Sequence, residues 1–179
     1  RDKWYLMPWA WTPEDTLVER SHRDRAPYDV WVQQGHLTAT SGTRVDHQLI
    51  RAVLRDQREK YDIQTIGFDP WHADTLISQL QMEDGFGEQQ VLAVPQTYAG
   101  MSAAALRFEA EVLDGNVCSN ANPVMQWCSS NAVVQQDGKG NVYPTKRKSR
   151  GRIDPIMAAI MGMALFVKSP AESPNVYLD

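Results

Sequence analysis

The apolar positions of this chain change period several times, and the changes divide it into elements. Residues 3–11, KWYLMPWAW, are rich in aromatic and aliphatic side chains and predict a strand running toward Pro13. Residues 12–27 are polar, contain Pro13 and Pro27, and predict a connection with room for one short helix. A short helix over 26–34, stopped by Gly35, and a small strand over 36–40 come next. Asp46 opens a long helix over 46–61. Leu49, Ile50, Val53 and Leu54 recur there at helical spacing, and Arg51, Arg55, Asp56, Arg58, Glu59 and Lys60 make a charged, solvated face. A buried strand over 63–68 and a helix over 70–82 follow, the helix with Leu76, Ile77 and Leu80 on one side. Then come a strand over 91–94, bounded by Pro95, and a helix over 101–113, stopped by Gly115. Residues 123–130 read as another helical piece ended by Asn131. The runs 132–136 and 141–144 flank Asp137-Gly138-Lys139-Gly140 and predict a hairpin. The last helix, over 154–167, is the most apolar segment, and residues 169–179, with Pro170 and Pro174, predict an irregular tail.

Helices and strands alternate from residue 36 to residue 115, which predicts an α/β fold rather than an all-α one. The length of 179 residues suits one domain with its own core. Apolar residues at 42% and charged residues at 22% argue for a globular chain and against disorder. No apolar run approaches the roughly 20 residues that a membrane helix needs, so no membrane partner is expected. The start has no apolar stretch followed by a small-residue cleavage site, so no signal peptide is expected, and a first residue Arg rather than Met predicts a piece of a larger protein. Cys118 and Cys128 make neither a disulfide framework nor a zinc pattern. They are expected to be reduced and structural in a cytoplasmic setting. The net charge of −4 confines any nucleic-acid contact to a local patch.

Three features carry chemistry. Asp69 ends the strand over 63–68 and precedes Pro70, which suits a helix start. It is either a ligand-binding residue at the carboxyl end of a strand or a helix cap. Asp154, in RIDP, stands before Pro155 and the apolar helix, and has the same two readings. Two Asp-Pro junctions in an α/β chain suggest carboxylates gathered at one rim, the oxygen donors that Mg²⁺ and Mn²⁺ prefer. The third feature is basic: Lys146, Arg147, Lys148, Arg150 and Arg152 fall immediately before Asp154. Such a run is either a solvated face or a set of phosphate contacts that orient a duplex without reading its sequence. His72, shortly after Asp69, is either a helix-surface residue or a proton shuttle. Trp4, Trp9, Trp11 and Trp31 crowd the first 31 residues and suit core packing, with base stacking as the alternative.

The order GFDPWHA, then NPVMQWCSSNAVVQQDGKGNVYPTKRKSRGRIDPIMAAIMGMAL, resembles the nuclease domain of the large terminase subunit of tailed bacteriophages. KWYLMPWAWTPED and YDVWVQQGHLTATSGTRVD agree with it upstream, so the resemblance covers nearly the whole chain. Residues 122–165 are its most specific part. The resemblance implies an RNase H-like fold: a mixed central sheet flanked by helices, with a β-hairpin before the C-terminal helix. It implies metal-dependent endonuclease cleavage of concatemeric double-stranded viral DNA during packaging, by one or two Mg²⁺ or Mn²⁺ ions. The family's second and third catalytic acids correspond to Asp69 and Asp154. Its first acid lies on a strand upstream of the KWYLMPW-like strand, and nothing in residues 1–179 matches it. ATP belongs to a separate N-terminal motor domain, whose P-loop this chain does not show. The implied partners are viral DNA and, in the full-length context, the portal protein and the small terminase subunit, in the host cytoplasm at the procapsid portal. The rival readings are a non-cleaving DNA- or portal-binding module of the packaging motor, and another RNase H-like nuclease such as a resolvase or transposase.

Overall fold

A computed structural model describes residues 3–71 and 73–168. The expected α/β alternation is present. In chain order the elements are β1 (Trp4–Tyr5), β2 (Trp11–Pro13), α1 (Leu17–Asp24), α2 (Tyr28–Gln33), β3 (Thr38–Thr40) and α3 (His47–Lys60). They continue with β4 (Ile66–Phe68), α4 (Asp74–Met82), β5 (Val91–Ala93), α5 (Tyr98–Leu113) and β6 (Val117–Cys118). The chain closes with α6 (Pro123–Asn131), β7 (Val134–Gln136), β8 (Val142–Pro144) and α7 (Asp154–Lys168). The predicted tail over 169–179 lies outside the described residues.

The strands pair in short ladders, three parallel (β1 with β6, β2 with β3, β4 with β5) and one antiparallel, the expected hairpin of β7 and β8. Parallel pairing of β4 with β5 sets Phe68 beside Ala93, so both carboxyl ends open on the same rim. The single strand expected over 3–11 is instead two, β1 and β2, with Pro8, which carries no N–H for a ladder, between them. The two-residue β6 carries too little apolar pattern to be read from sequence.

Two apolar clusters fill the interior. The larger joins α2, α5, α6 and α7 through residues such as Trp31, Met101, Ala104, Met125, Cys128, Ile153, Met157 and Ile160. The predicted tryptophan packing is present at Trp4, whose ring meets Phe166 edge-on at 4.7 Å, and at Trp31, which stacks with Tyr28 and Trp127 within 6 Å. The smaller cluster holds Leu80, Phe86 and Val91, with Ile66 and Phe68 of β4 packed against it. Side chains alternate along a strand, so Gly67 faces the other way. A Cβ there would lie 2.8 Å from Leu165 Cδ1 and 3.2 Å from Val94 Cγ2, so its lack of a side chain lets α7 pack directly on β4.

Arg51, expected on a solvated face, is buried instead. Its guanidinium donates to Asp84 at 2.6 and 2.9 Å and to Glu83 at 2.7 Å, and Arg55 donates to Asp84 at 3.1 Å. A buried charge requires such a partner, and this one comes from 33 residues away, beyond the reach of helical periodicity.

Candidate functional site

Asp69 follows β4 directly and, by strand alternation, shares the Gly67 side that faces α7. It caps no helix. The helix predicted from residue 70 begins at Asp74, with Ala73 at the N-cap position, and Pro70 lies in the bend before it. The Asp69 carboxylate closes its own turn, Oδ1 accepting from the Trp71 N–H at 3.1 Å. Its Oδ2 accepts from Gln96 Nε2 at 2.6 Å. Gln96 follows β5, so the parallel pairing of β4 and β5 brings the two residues together. Tyr143 of β8 completes the group, its hydroxyl donating to Gln96 Oε1 at 3.4 Å. Burial first, and the Asp69 charge second, raise the Tyr143 phenol above its usual pKa, which keeps it a donor.

Asp154 is the first residue of α7, just after Ile153, which is fully buried. The Met157 N–H bonds to the Ile153 carbonyl at 3.0 Å, so Ile153 rather than Asp154 stands at the cap position. The Asp154 side chain is half-exposed, and its Oδ1 pairs with Lys146 Nζ at 2.6 Å. Lys146 and Arg152 line a cleft of about 260 Å³ with Asp154, Gly151, Ile153, Arg23 and Asp24. Asp24, at the end of α1, accepts from Arg23 at 2.7 and 3.1 Å and from Tyr28 at 2.9 Å, and Arg152 Nε stands 3.9 Å away. The Arg23 hydrogen bonds, opposed by burial and helped by Tyr28, hold the Asp24 carboxyl below its ordinary value. Arg147, Lys148 and Arg150 are exposed on the turn that leaves β8. Ser149 ties that turn down, donating to the Thr145 carbonyl at 2.7 Å and accepting from the Val133 N–H at 3.3 Å. A Cβ on Gly151 would meet Asn131 Nδ2 at 2.7 Å and Trp127 at 3.1 Å, so this glycine permits the close approach to α6.

Asp69 is linked to α7, the helix that Asp154 begins, through Gln96. Gln96 Nε2, which holds Asp69, is 3.9 Å from Met161 Sδ. Met161 is seven residues after Asp154, hence on the same helical face and about 10 Å along the axis. The acids nevertheless keep separate partners, Gln96 and the Trp71 N–H for one, Lys146 for the other. Among the described residues no group of three or more His, Cys, Asp or Glu side chains is gathered where it could hold a metal. His72, the candidate shuttle, lies outside the described residues.

Arg23, Asp24, Gln96 and Tyr143 carry no motif in the sequence. The rule that ligands bind at the carboxyl ends of parallel strands would have pointed to Gln96, had the pairing of β4 with β5 been known. Cys128 is buried and its thiol is pushed up to about 12 by burial, and further by the Asp154 charge, which fits the structural role expected of it.

Comparison with known proteins places the chain in a family. Residues 1–170 match the family described as the terminase large subunit, endonuclease domain. The chain belongs to that family. It is 35% identical over 161 residues to the terminase large subunit of Enterobacteria phage HK97, covering 89% of this chain and 31% of that protein. It is 31% identical over 165 residues to protein YmfN of Escherichia coli (strain K12), covering 88% of this chain and 35% of the other. The crystal structure of the HK97 bacteriophage large terminase superposes with a TM-score of 0.79 at 35% identity, over 87% of this chain and 32% of that one. The terminase nuclease domain therefore has the RNase H-like α/β architecture expected from its sequence. The chain spans about a third of the length of the curated relatives it matches. No helix among the described residues is long and apolar enough to cross a membrane.

Proposed function

We propose that this terminase domain cuts concatemeric double-stranded viral DNA during packaging, by hydrolysing phosphodiester bonds with one or two Mg²⁺ or Mn²⁺ ions held by Asp69 and Asp154. The observation that supports the reading is that the Gln96 holding Asp69 touches Met161 of α7, the helix that Asp154, 85 positions on in sequence, begins beside a basic turn. The donor set fits: Mg²⁺ is commonly bound by one or two carboxylates plus waters and substrate phosphate, and both acids have oxygen lone pairs to spare. When bound, such ions supply an activated water and neutralise charge on the scissile phosphate.

The chain's own residues do the rest. Asp69 is held in a fixed plane by Gln96 and the Trp71 N–H. Lys146 pairs with Asp154 and, with Arg147, Lys148, Arg150 and Arg152, would contact the DNA backbone. His72 is the candidate for moving a proton next to Asp69. In the full-length protein the partners are viral DNA, the portal protein and the small terminase subunit in the host cytoplasm, with ATP used by a separate motor domain.

Replacement of Asp69 or Asp154 by Asn in the full-length protein tests this. Mn²⁺-dependent plasmid nicking is expected to fall to the metal-free background, with circular dichroism unchanged. Nicking by either variant at the parent's rate overturns the assignment. The Lys146–Asp154 pair favours a second reading, a DNA- or portal-binding module that does not cut. DNA binding by the parent with neither Mn²⁺-linked thermal stabilisation nor nicking would select it.

A further inference from the structure

Strand β8 and the turn that leaves it connect to both acids, one through Gln96 and one through Lys146. Tyr143 touches the Gln96 that holds Asp69, and Lys146, three residues on, pairs with Asp154. Ser102, buried on α5, fixes the start of the strand, its Oγ accepting from the Val142 N–H at 3.0 Å. We propose that Gln96 and Tyr143 are positioning residues that fix the Asp69 carboxylate for cation binding and tie it to the strand whose end carries the basic turn. This rests on the metal-dependent reading above.

The chemistry sets the orientation of the pair. An ionised carboxylate only accepts, so the Gln96 amide must turn its N–H₂ toward Asp69 and its oxygen away. That oxygen then needs a donor, and the Tyr143 hydroxyl is in place. The result is a one-way chain of donors, Tyr143 to Gln96 to Asp69, crossing from β8 to the rim of β4 and β5. One Oδ2 lone pair is taken by the amide and one Oδ1 lone pair by the Trp71 N–H. The carboxylate cannot rotate without breaking one of these bonds, and its remaining lone pairs are presented in one direction. Outer-shell partners of this kind orient metal-binding carboxylates, and their loss typically lowers metal affinity about 10–100-fold.

The experiment uses the full-length protein and MnCl₂ as the probe, with the rise in unfolding temperature followed as a function of Mn²⁺ concentration. Gln96→Leu, which keeps the volume and removes both hydrogen bonds, is expected to raise the half-saturating Mn²⁺ about tenfold or more. Tyr143→Phe, which removes one hydroxyl, is expected to raise it by less. At saturating Mn²⁺ both variants recover kcat and hold the parent's KM for DNA, which loss of a DNA contact would not allow. Should Gln96→Leu fail to fold, Tyr143→Phe decides alone. A Mn²⁺ midpoint equal to the parent's in both variants, while Asp69→Asn loses its Mn²⁺ response, overturns the positioning role and leaves the nuclease reading standing. An unaltered Mn²⁺ response in Asp69→Asn overturns both.

Discussion

The two acids rest on foundations of different kinds. Asp154 begins a helix whose inner face, Ile153, Ile156, Met157 and Ile160, is sunk in the larger core. Asp69 follows a three-residue strand backed by the small cluster of Leu80, Phe86 and Val91, which a charged clamp of Arg51, Arg55 and Asp84 closes. Where apolar burial fixes the backbone, the carboxylate itself is paired only with an exposed lysine. Where burial is thin, hydrogen bonds from Trp71 and Gln96 do the fixing. Packing and polar networks are thus alternative means of holding a carboxylate still, one used for each acid.

The sharpest way to break this comparison is to hollow out each side in turn. Phe86→Ala, at the centre of the small cluster, is expected to cost about 3–5 kcal/mol. Hydrogen exchange should then show α3 and α4 opening while the amides of α5 and α7 stay protected. Met157→Ala, in the large core, is expected to cost about 2–5 kcal/mol, read by urea unfolding, and to lower protection everywhere. Equal, global loss in both variants would show one cooperative body.

Acid should separate the sides next. The Arg51 hydrogen bond, opposed by burial, holds the Asp84 carboxyl below its ordinary value of 3.8. A depressed carboxyl contributes stability that is complete above the unfolded value and fades as pH falls through the folded one. Fluorescence and exchange below about pH 3.8 should therefore report loosening of α3 and α4 before α7, and Asp84→Asn should remove that pH-dependent step. A smaller effect belongs to Asn122, whose Oδ1 accepts from the Met125 N–H at 3.0 Å at the start of α6. Asn122→Ala should cost about 1 kcal/mol by thermal melting. Least of all, Cys128 should resist thiol reagents at pH 8 while the half-buried Cys118 reacts, because burial pushes the Cys128 thiol up to about 12.

What the sequence made legible follows the same division. Asp154 was readable because Pro155 and a long apolar run announce a buried helix just after it. Asp69 was readable as the end of a strand, but the start of the helix after it was not, since the turn through Pro70 is stabilised by the Asp69 side chain rather than by any pattern of apolar residues. Arg51 misled because the partner that neutralises it is a third of an ordinary domain away in sequence. Gln96 and Tyr143 were silent: a neutral amide and a phenol acquire a role only when a third strand crosses the rim. Hydrophobic periodicity reports burial against a continuous core, and it says nothing of polar contacts between distant segments.

Gly67 has a consequence for how such a domain can change. Because α7 lies on bare backbone there, the spacing of α7 from β4 is gauged by the thickness of one missing methyl. A Gly67→Ala exchange would act as a shim, prising helix from strand without touching either acid. Drift at this inconspicuous spot would shift the helix that begins at Asp154 against the strand that precedes Asp69, with both residues unchanged.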